Sequence, residues 1–296
     1  MNKSFLKVTV FLVLFFTGCS PTTHSKATAT VEQPKLNLSE HTPIIFLHGS
    51  GGSENDLTAF AQKIAASQGT DSLMVTIDGN QHLTYLNKLS DQALLPLIFV
   101  GFEEGEAPIE EWSQGLAALL QDLTTHYQFE TADLVGFSNG GLAAGYFAES
   151  FSEYRDLPAL NKLVMIGAPF NDLKPLNAGN PLDFKDLTNQ DPYFDKFLKK
   201  KEQLPSTLNV LAIAGDVGDL SYSDTVVPIS SALGSRLIFP EYVDSYQERL
   251  SYGRGASHVG LISDNQEVSD WVRDFLSDTD QSKLPTPELI TSLKKR

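Results

Sequence analysis

Residues 134–141 have the sequence LVGFSNGG, and this stretch decides the fold. An apolar run at 134–137 leads directly into Ser138, and small residues follow it. The pattern Gly-x-Ser-x-Gly is typical of a tight strand-to-helix turn, in which side chains two positions before and after the serine would collide. Such a turn lifts the hydroxyl above a sheet and places it at a helix N-terminus, where free backbone N–H groups stabilise negative charge. We therefore expect Ser138 to be a nucleophile.

On both sides of this turn, buried strand-like runs alternate with amphipathic helical patterns. The alternation predicts an α/β fold with a mostly parallel central sheet and helices on both faces. Strands are predicted at 44–47, 72–77, 97–102, 134–137, 163–166 and 210–214, and the helices are predicted to begin at Asp56, Pro108, Gly140 and Val268.

Residues 170–205 do not fit the alternation. An insertion after a strand can cover the carboxyl edge of a parallel sheet, where sites form. We expect a cap that shapes a substrate pocket, and the alternative is a helical decoration without a catalytic role. The segment carries large apolar residues, among them Phe184, Tyr193, Phe194, Phe197 and Leu198.

A glycine-rich loop, HGSGGS at 48–53, follows the first predicted strand. Such a loop can aim a backbone N–H at the carbonyl oxygen of a substrate, and we assign this donor to Ser50, with Gly51 as the alternative. The second N–H would come from Asn139, directly after the nucleophile. The loop does not fit a P-loop, because no Gly-Lys-Ser/Thr follows. His48 is interpreted as structural.

The base and the acid are sought after Ser138, in the chain order serine, acid, histidine. His258 is the one histidine of six that follows it, in a loop before the last predicted helix. The acid should follow a late strand, and we favour Asp224 over Asp216 and Asp219. It would hold the histidine tautomer and stabilise the imidazolium.

The composition excludes several classes of protein. The chain has 296 residues, a formal net charge of −15 and a single cysteine. Strong acidity argues against nucleic-acid binding, which needs clustered Lys and Arg. One cysteine permits neither an intramolecular disulfide nor a cysteine-based zinc site. No metal and no organic cofactor is expected.

The N-terminus has the layout of an export signal: a basic start, a short apolar core and small residues before Cys19. Residues 16–19 resemble the lipobox of bacterial lipoproteins, in which the cysteine is lipidated and becomes the mature N-terminus. We expect a signal peptide at 1–18, lipidated Cys19 with a flexible tether at 19–42, a domain at 43–277 and a polar tail at 278–296. The protein would be anchored on the outer face of the cell membrane. An ordinary signal peptide or an uncleaved anchor is the alternative.

The glycine-rich loop, the turn at Ser138, the segment 223–228 and the stretch from Tyr246 to His258 together resemble the α/β-hydrolase superfamily. More closely, residues 43–277 are similar to the DUF915 group of exported hydrolases of Gram-positive bacteria. The resemblance implies an α/β-hydrolase fold and a triad of Ser138, Asp224 and His258. Asn139 stands where many relatives have methionine.

These features predict a serine hydrolase of the carboxylesterase or lipase type, with a small-molecule or lipid ester as substrate. One alternative is an acyltransferase that uses the same triad. Another is a non-catalytic ligand-binding lipoprotein built on a hydrolase scaffold. The sequence leaves the oligomeric state and the natural ester open.

Overall fold

The computed structural model describes residues 29–65, 69–171, 173 and 192–277. The export signal, Cys19, the start of the predicted tether, residues 174–191 of the insertion and the tail at 278–296 lie outside the described residues.

An eight-stranded sheet forms the centre of the domain, in the order β3-β2-β4-β1-β5-β6-β7-β8. Neighbouring strands are parallel except for the β2–β3 pair at one edge. The strands are β1 (Ile44–Leu47), β2 (Thr70–Ile77), β3 (Leu83–Tyr85), β4 (Leu95–Phe102), β5 (Thr131–Phe137), β6 (Ala159–Ile166), β7 (Asn209–Asp216) and β8 (Ser245–Tyr252).

Helices cover both faces of the sheet, and the alternating side chains of the strands supply a core on each side. In β1, Ile45 and Leu47 join one apolar cluster, while Ile44 and Phe46 join the other. The first cluster includes residues of α2 (Ile109–Tyr127), α3 (Asn139–Ser150), α4 (Pro192–Lys200) and α5 (Ile229–Ala232). The second includes residues of α1 (Thr58–Ala65), α6 (Gly260–Ser263) and α7 (Gln266–Leu276).

The predicted fold class is confirmed, and each predicted strand lies within an observed one. Two edge strands, β3 and β8, are not predicted by the apolar pattern. In β8, Gln247, Glu248 and Arg249 occupy successive positions and interrupt the apolar pattern that marks a buried strand.

The domain begins earlier than predicted, so the assignment of residues 29–42 to a flexible tether is wrong. The backbone N–H of Val31 donates to the Tyr85 carbonyl at 2.8 Å, and that of Leu38 donates to the Tyr127 carbonyl at 2.9 Å. Leu38 is buried, as is Gln33, whose amide donates to two backbone carbonyls. The segment packs through backbone hydrogen bonds and through Val31, Leu36 and Leu38, whose irregular spacing gives no helical or strand periodicity.

The described part of the insertion packs into the core. Phe194 and Phe197 of α4 are fully buried, and the Phe197 ring lies 5.0 Å from Phe170 and 6.1 Å from Tyr146, centroid to centroid. For these two side chains, packing against α3 and the loop after β6 accounts for their apolar character. Whether residues 174–191 form a cap stays a prediction.

The turn between β5 and α3 places Ser138 in an unusual backbone conformation, with φ 54° and ψ −124°. A Cβ at Gly136 would overlap the carbonyl oxygen of Gly140, and a Cβ at Gly140 would overlap those of Leu47 and His48. Backbone therefore lies directly against backbone, and only glycine fits at both positions.

Replacing Gly140 by alanine should disrupt this turn. Because the added methyl would meet backbone atoms, which cannot rotate away, we expect Gly140→Ala to destabilise the domain by about 3 kcal/mol. Denaturant unfolding measures the effect. Gly255→Ala is the matched control, since its Cβ would have no neighbour closer than 3.8 Å, and it should shift stability by less than about 1 kcal/mol. Equal stability of the two variants would contradict this view of the turn.

Glu149 of α3 is fully buried, and neither of its carboxylate oxygens has a hydrogen-bond partner in the described structure. Burial raises the pKa of this carboxyl from 4.5 to about 9, opposed by the charge of Lys200. In the unfolded chain the group ionises near 4.5, so the folded state loses stability as pH rises between these two values.

We therefore expect Glu149→Gln to remove a pH dependence. The difference in unfolding free energy, variant minus parent, should grow with pH by up to about 1.4 kcal/mol per unit between pH 5 and 8. Denaturant titrations across this range measure it. Glu153→Gln is the control, because that carboxylate is 52 % exposed and pairs with Lys200. Parallel stability curves for parent and Glu149→Gln would refute the buried neutral carboxyl.

Candidate active site

Three side chains from different loops meet at the carboxyl edge of the sheet. Ser138 follows β5, Asp224 lies in the loop after β7, and His258 lies shortly after β8. Because β5, β7 and β8 run parallel in one sheet, their carboxyl ends share this edge. The structure thus brings together the three residues that the sequence analysis predicted for the site.

The three side chains form a continuous hydrogen-bonded chain. His258 Nε2 lies 3.0 Å from Ser138 Oγ, and His258 Nδ1 lies 2.7 Å from Asp224 Oδ2. Since Nδ1 faces a carboxylate oxygen, it carries the proton, and Nε2 is left to accept from the serine hydroxyl. Asp224 and His258 are both buried, which strengthens these interactions.

The Asp224 carboxylate is fixed by its own loop. Its Oδ1 accepts hydrogen bonds from the backbone N–H groups of Val226 at 2.9 Å and Val227 at 2.6 Å, which leaves Oδ2 for the histidine. The backbone N–H of His258 also donates to the Asp224 carbonyl at 2.6 Å. The acid and the base are therefore tied through both side chain and backbone.

The other two candidate acids serve in turns. Asp216 Oδ1 accepts from the backbone N–H of Gly218 at 2.9 Å, and Asp219 Oδ1 accepts from that of Ser221 at 2.9 Å. This is the local role that aspartate commonly takes in turns. Hydrogen bonds from the Ser221 side chain and backbone lower the pKa of Asp219.

The glycine-rich loop after β1 lies beside the serine turn. The Asn139 amide donates to Ser50 Oγ at 2.6 Å, and a Cβ at Gly49 would lie 3.0 Å from Ser138 Cβ. The backbone N–H of Gly51 donates to the Gly105 carbonyl at 3.0 Å, which removes it as a donor to a substrate. Among described residues, the backbone N–H groups of Ser50 and Asn139 have no acceptor, so both are available.

The His48 side chain fixes the start of this loop through hydrogen bonds. Its Nε2 accepts from the backbone N–H of Phe102 at 2.9 Å, and its Nδ1 donates to the Gly49 carbonyl at 2.6 Å. Both nitrogens are used, and burial lowers the pKa of the ring, so it is neutral. His48 lies edge-on to Trp112 at 5.0 Å. These contacts agree with the structural role predicted for it.

A cleft of about 310 Å³ opens beside Asn139. We call it the serine-side cleft. Its walls come from the loop after β4, the starts of α2 and α3 and the loop after β6. Asn139 is a predicted site residue, and Asn171 and Leu173 lie in the predicted cap, but the sequence does not predict the residues of the loop after β4. The rule that sites form at carboxyl ends of parallel strands was the available signal. The described lining is Glu106, Ala107, Pro108, Ile109, Asn139, Leu142, Pro169, Asn171 and Leu173.

Within the ranges described above, no three His, Cys, Asp or Glu residues are grouped so that they could hold a metal ion. In the same ranges, no helix has both the length and the apolar character that crossing a membrane requires.

Comparison with known proteins identifies the group to which this architecture belongs. A family model described as an alpha/beta hydrolase of unknown function (DUF915) matches residues 31–279. This match begins within the N-terminal segment that packs on the domain. No curated protein matches the chain.

Two solved structures are similar along most of the chain. The product of the lin2722 gene of Listeria innocua is 36 % identical, with a TM-score of 0.75, over 80 % of this chain and 94 % of that one. A Lactobacillus plantarum WCFS1 protein described as a cell-surface hydrolase is 19 % identical, with a TM-score of 0.66, over 86 % of this chain and 98 % of that one, which shows a shared fold. This chain therefore belongs to the DUF915 family of α/β hydrolases.

Proposed function

We propose that this α/β hydrolase is a serine esterase that cleaves carboxylic esters through an acyl-enzyme. The observation that carries the proposal is the chain of hydrogen bonds from Asp224 through His258 to Ser138, with distances of 2.7 and 3.0 Å. Nucleophile, base and orienting acid are the parts that acyl transfer requires.

In the first half of the reaction, His258 Nε2 takes the hydroxyl proton as Ser138 Oγ attacks the ester carbonyl carbon. The carbonyl oxygen becomes an oxyanion, which accepts hydrogen bonds from the backbone N–H groups of Ser50 and Asn139. The intermediate then collapses, the bond between carbonyl carbon and alcohol oxygen breaks, and His258 returns the proton to the departing alcohol.

In the second half, water replaces the alcohol. His258 takes a proton from the water as its oxygen attacks the acyl carbon, and the same two N–H groups hold the second oxyanion. Collapse releases the carboxylic acid and returns the proton to Ser138. Asp224 stays ionised and stabilises the imidazolium in both halves.

Labelling with a fluorophosphonate tests the proposal directly. We expect residues 20–296 to be labelled and to hydrolyse short-chain nitrophenyl esters, and Ser138→Ala to lose labelling and about 10⁴-fold or more in kcat. Asp224→Asn should lose about 10³- to 10⁴-fold, because the neutral amide no longer favours the productive tautomer.

The control is Asp216→Asn, since this carboxylate serves a turn and should be largely dispensable for turnover. Circular dichroism establishes that each variant is folded. A folded Ser138→Ala protein with parental activity would contradict the proposal. A protein that is labelled but turns over esters only when an alcohol acceptor is added would favour the acyltransferase. A folded parent that is not labelled would favour the ligand-binding alternative.

We also propose that the protein is exported and held on the outer face of the membrane through lipidated Cys19. The support is the sequence pattern at 1–19. More than one acyl chain would be needed for stable attachment, since a single chain binds weakly.

Replacing Cys19 by serine should release the protein from the membrane. In a Gram-positive host, the parent should partition into the detergent phase of Triton X-114 and incorporate labelled palmitate, while Cys19→Ser should do neither. Ser20→Ala is the control, because it leaves the cysteine in place. Equal partitioning of parent and Cys19→Ser would point to an uncleaved anchor.

A further inference from the structure

The serine-side cleft lies next to the proposed nucleophile, because Asn139, the residue after Ser138, forms part of its wall. Most of its other described lining is apolar, contributed by Ile109, Leu142, Pro169 and Leu173 among others. Its volume of about 310 Å³ is at the lower end of the range for small-molecule pockets. It is therefore sized for a compact substrate group.

Glu106 is the one charged side chain among the described residues that line this cleft. Its position beside the glycine-rich loop is close, since a Cβ on Gly51 would lie 3.4 Å from Glu106 Oε1. That loop also carries Ser50, whose N–H is a proposed oxyanion donor. A negative charge thus lies next to the place where the ester carbonyl would bind.

The Glu106 carboxylate is not neutralised within the described structure, where it has neither an ion pair nor a hydrogen bond. Two other acids, one near the cleft and one on the sheet, have cationic partners. Glu110 pairs with Lys196, and Glu248 pairs with Arg236. Glu106 has no such partner among the described residues and is exposed, so its charge is available for a cation from solution.

We propose that the serine-side cleft selects esters that carry an ammonium group, with Glu106 as the specificity-determining residue. The inference rests on the proposed esterase function and adds its substrate class. The carboxylate attracts the positive charge, while the apolar walls accept the carbon atoms around the nitrogen. The ammonium group takes no part in bond making; the bond that breaks is the ester bond, as above.

The net charge of the whole molecule also favours cationic substrates. With a net charge of −15, the protein raises the local concentration of cationic substrates and repels anionic ones. Because Glu106 is exposed, its own contribution should be moderate and sensitive to salt.

Matched ester pairs test the proposal. The first pair, acetylcholine and 3,3-dimethylbutyl acetate, differs in the alcohol half by exchange of N⁺ for carbon. The second, nitrophenyl esters of 4-trimethylammoniobutyrate and 5,5-dimethylhexanoate, differs likewise in the acyl half. For at least one pair, kcat/KM at low salt should be about 3- to 10-fold higher for the cation, and Glu106→Gln should lower that ratio. In 0.5 M NaCl the parental ratio should fall further, because salt screens Glu106 and the net charge together.

Glu103→Gln is the matched control, since Glu103 is exposed on the same loop but does not line the cleft, and it should keep the parental ratio. Ratios near one in both pairs for the parent, or unchanged ratios in Glu106→Gln, would overturn the inference while leaving the esterase intact. Absence of both fluorophosphonate labelling and turnover of every ester would overturn the esterase, and the inference with it.

Discussion

The close backbone contact between the first turn of α3 and the end of β1 is the constraint on which the site depends. At Gly140 the chain lies so near the carbonyl oxygens of Leu47 and His48 that no side chain fits. This contact holds Ser138 at a positive φ of 54°, a conformation that costs free energy and persists only when its surroundings enforce it. The glycine-rich loop starts where β1 ends, so the same contact also sets the position of Ser50 relative to the serine. The two proposed oxyanion donors, the N–H groups of Ser50 and Asn139, are thereby positioned by this one backbone contact.

The two oxygens of the buried Asp224 carboxylate have separate hydrogen-bond partners, and this arrangement orients the base. Removing Asp224 from water is costly unless its oxygens are hydrogen-bonded. Two backbone N–H groups satisfy Oδ1, and the His258 ring satisfies Oδ2. A glycine at 167 leaves room for this arrangement, because a Cβ there would crowd Oδ2 at 3.1 Å and the ring nitrogen Nδ1 at 3.2 Å, and the φ of +57° also favours glycine. The histidine is therefore oriented before any substrate binds, which is the condition for efficient proton transfer.

The residues that could be predicted from sequence are those whose roles are local or whose strands are buried. The apolar runs gave the central strands, and the turn chemistry around Ser138 follows from steric rules alone. His258 could be found by chain order. Asp224 is preferred over Asp216 because Asp216 ends its strand directly and can cap a turn, and its carboxylate does accept a backbone N–H in a turn. The edge strand β8, the packing of residues 29–42 and the contribution of Glu106 to the cleft were not predictable. Successive polar residues hide β8, and the other two features depend on contacts between segments that are distant in sequence, so none of the three leaves an apolar periodic pattern.

The location of Glu106 raises a problem that a cationic substrate would solve. Ester cleavage builds negative charge on the carbonyl oxygen, and a carboxylate beside the loop that stabilises this charge opposes it through space. With a neutral ester, the repulsion grows as the transition state forms. With an ammonium-bearing ester, the bound cation neutralises Glu106 and also attracts the developing oxyanion. The cation would then stabilise the transition state more than the ground state, which is the kind of interaction that raises kcat as well as kcat/KM.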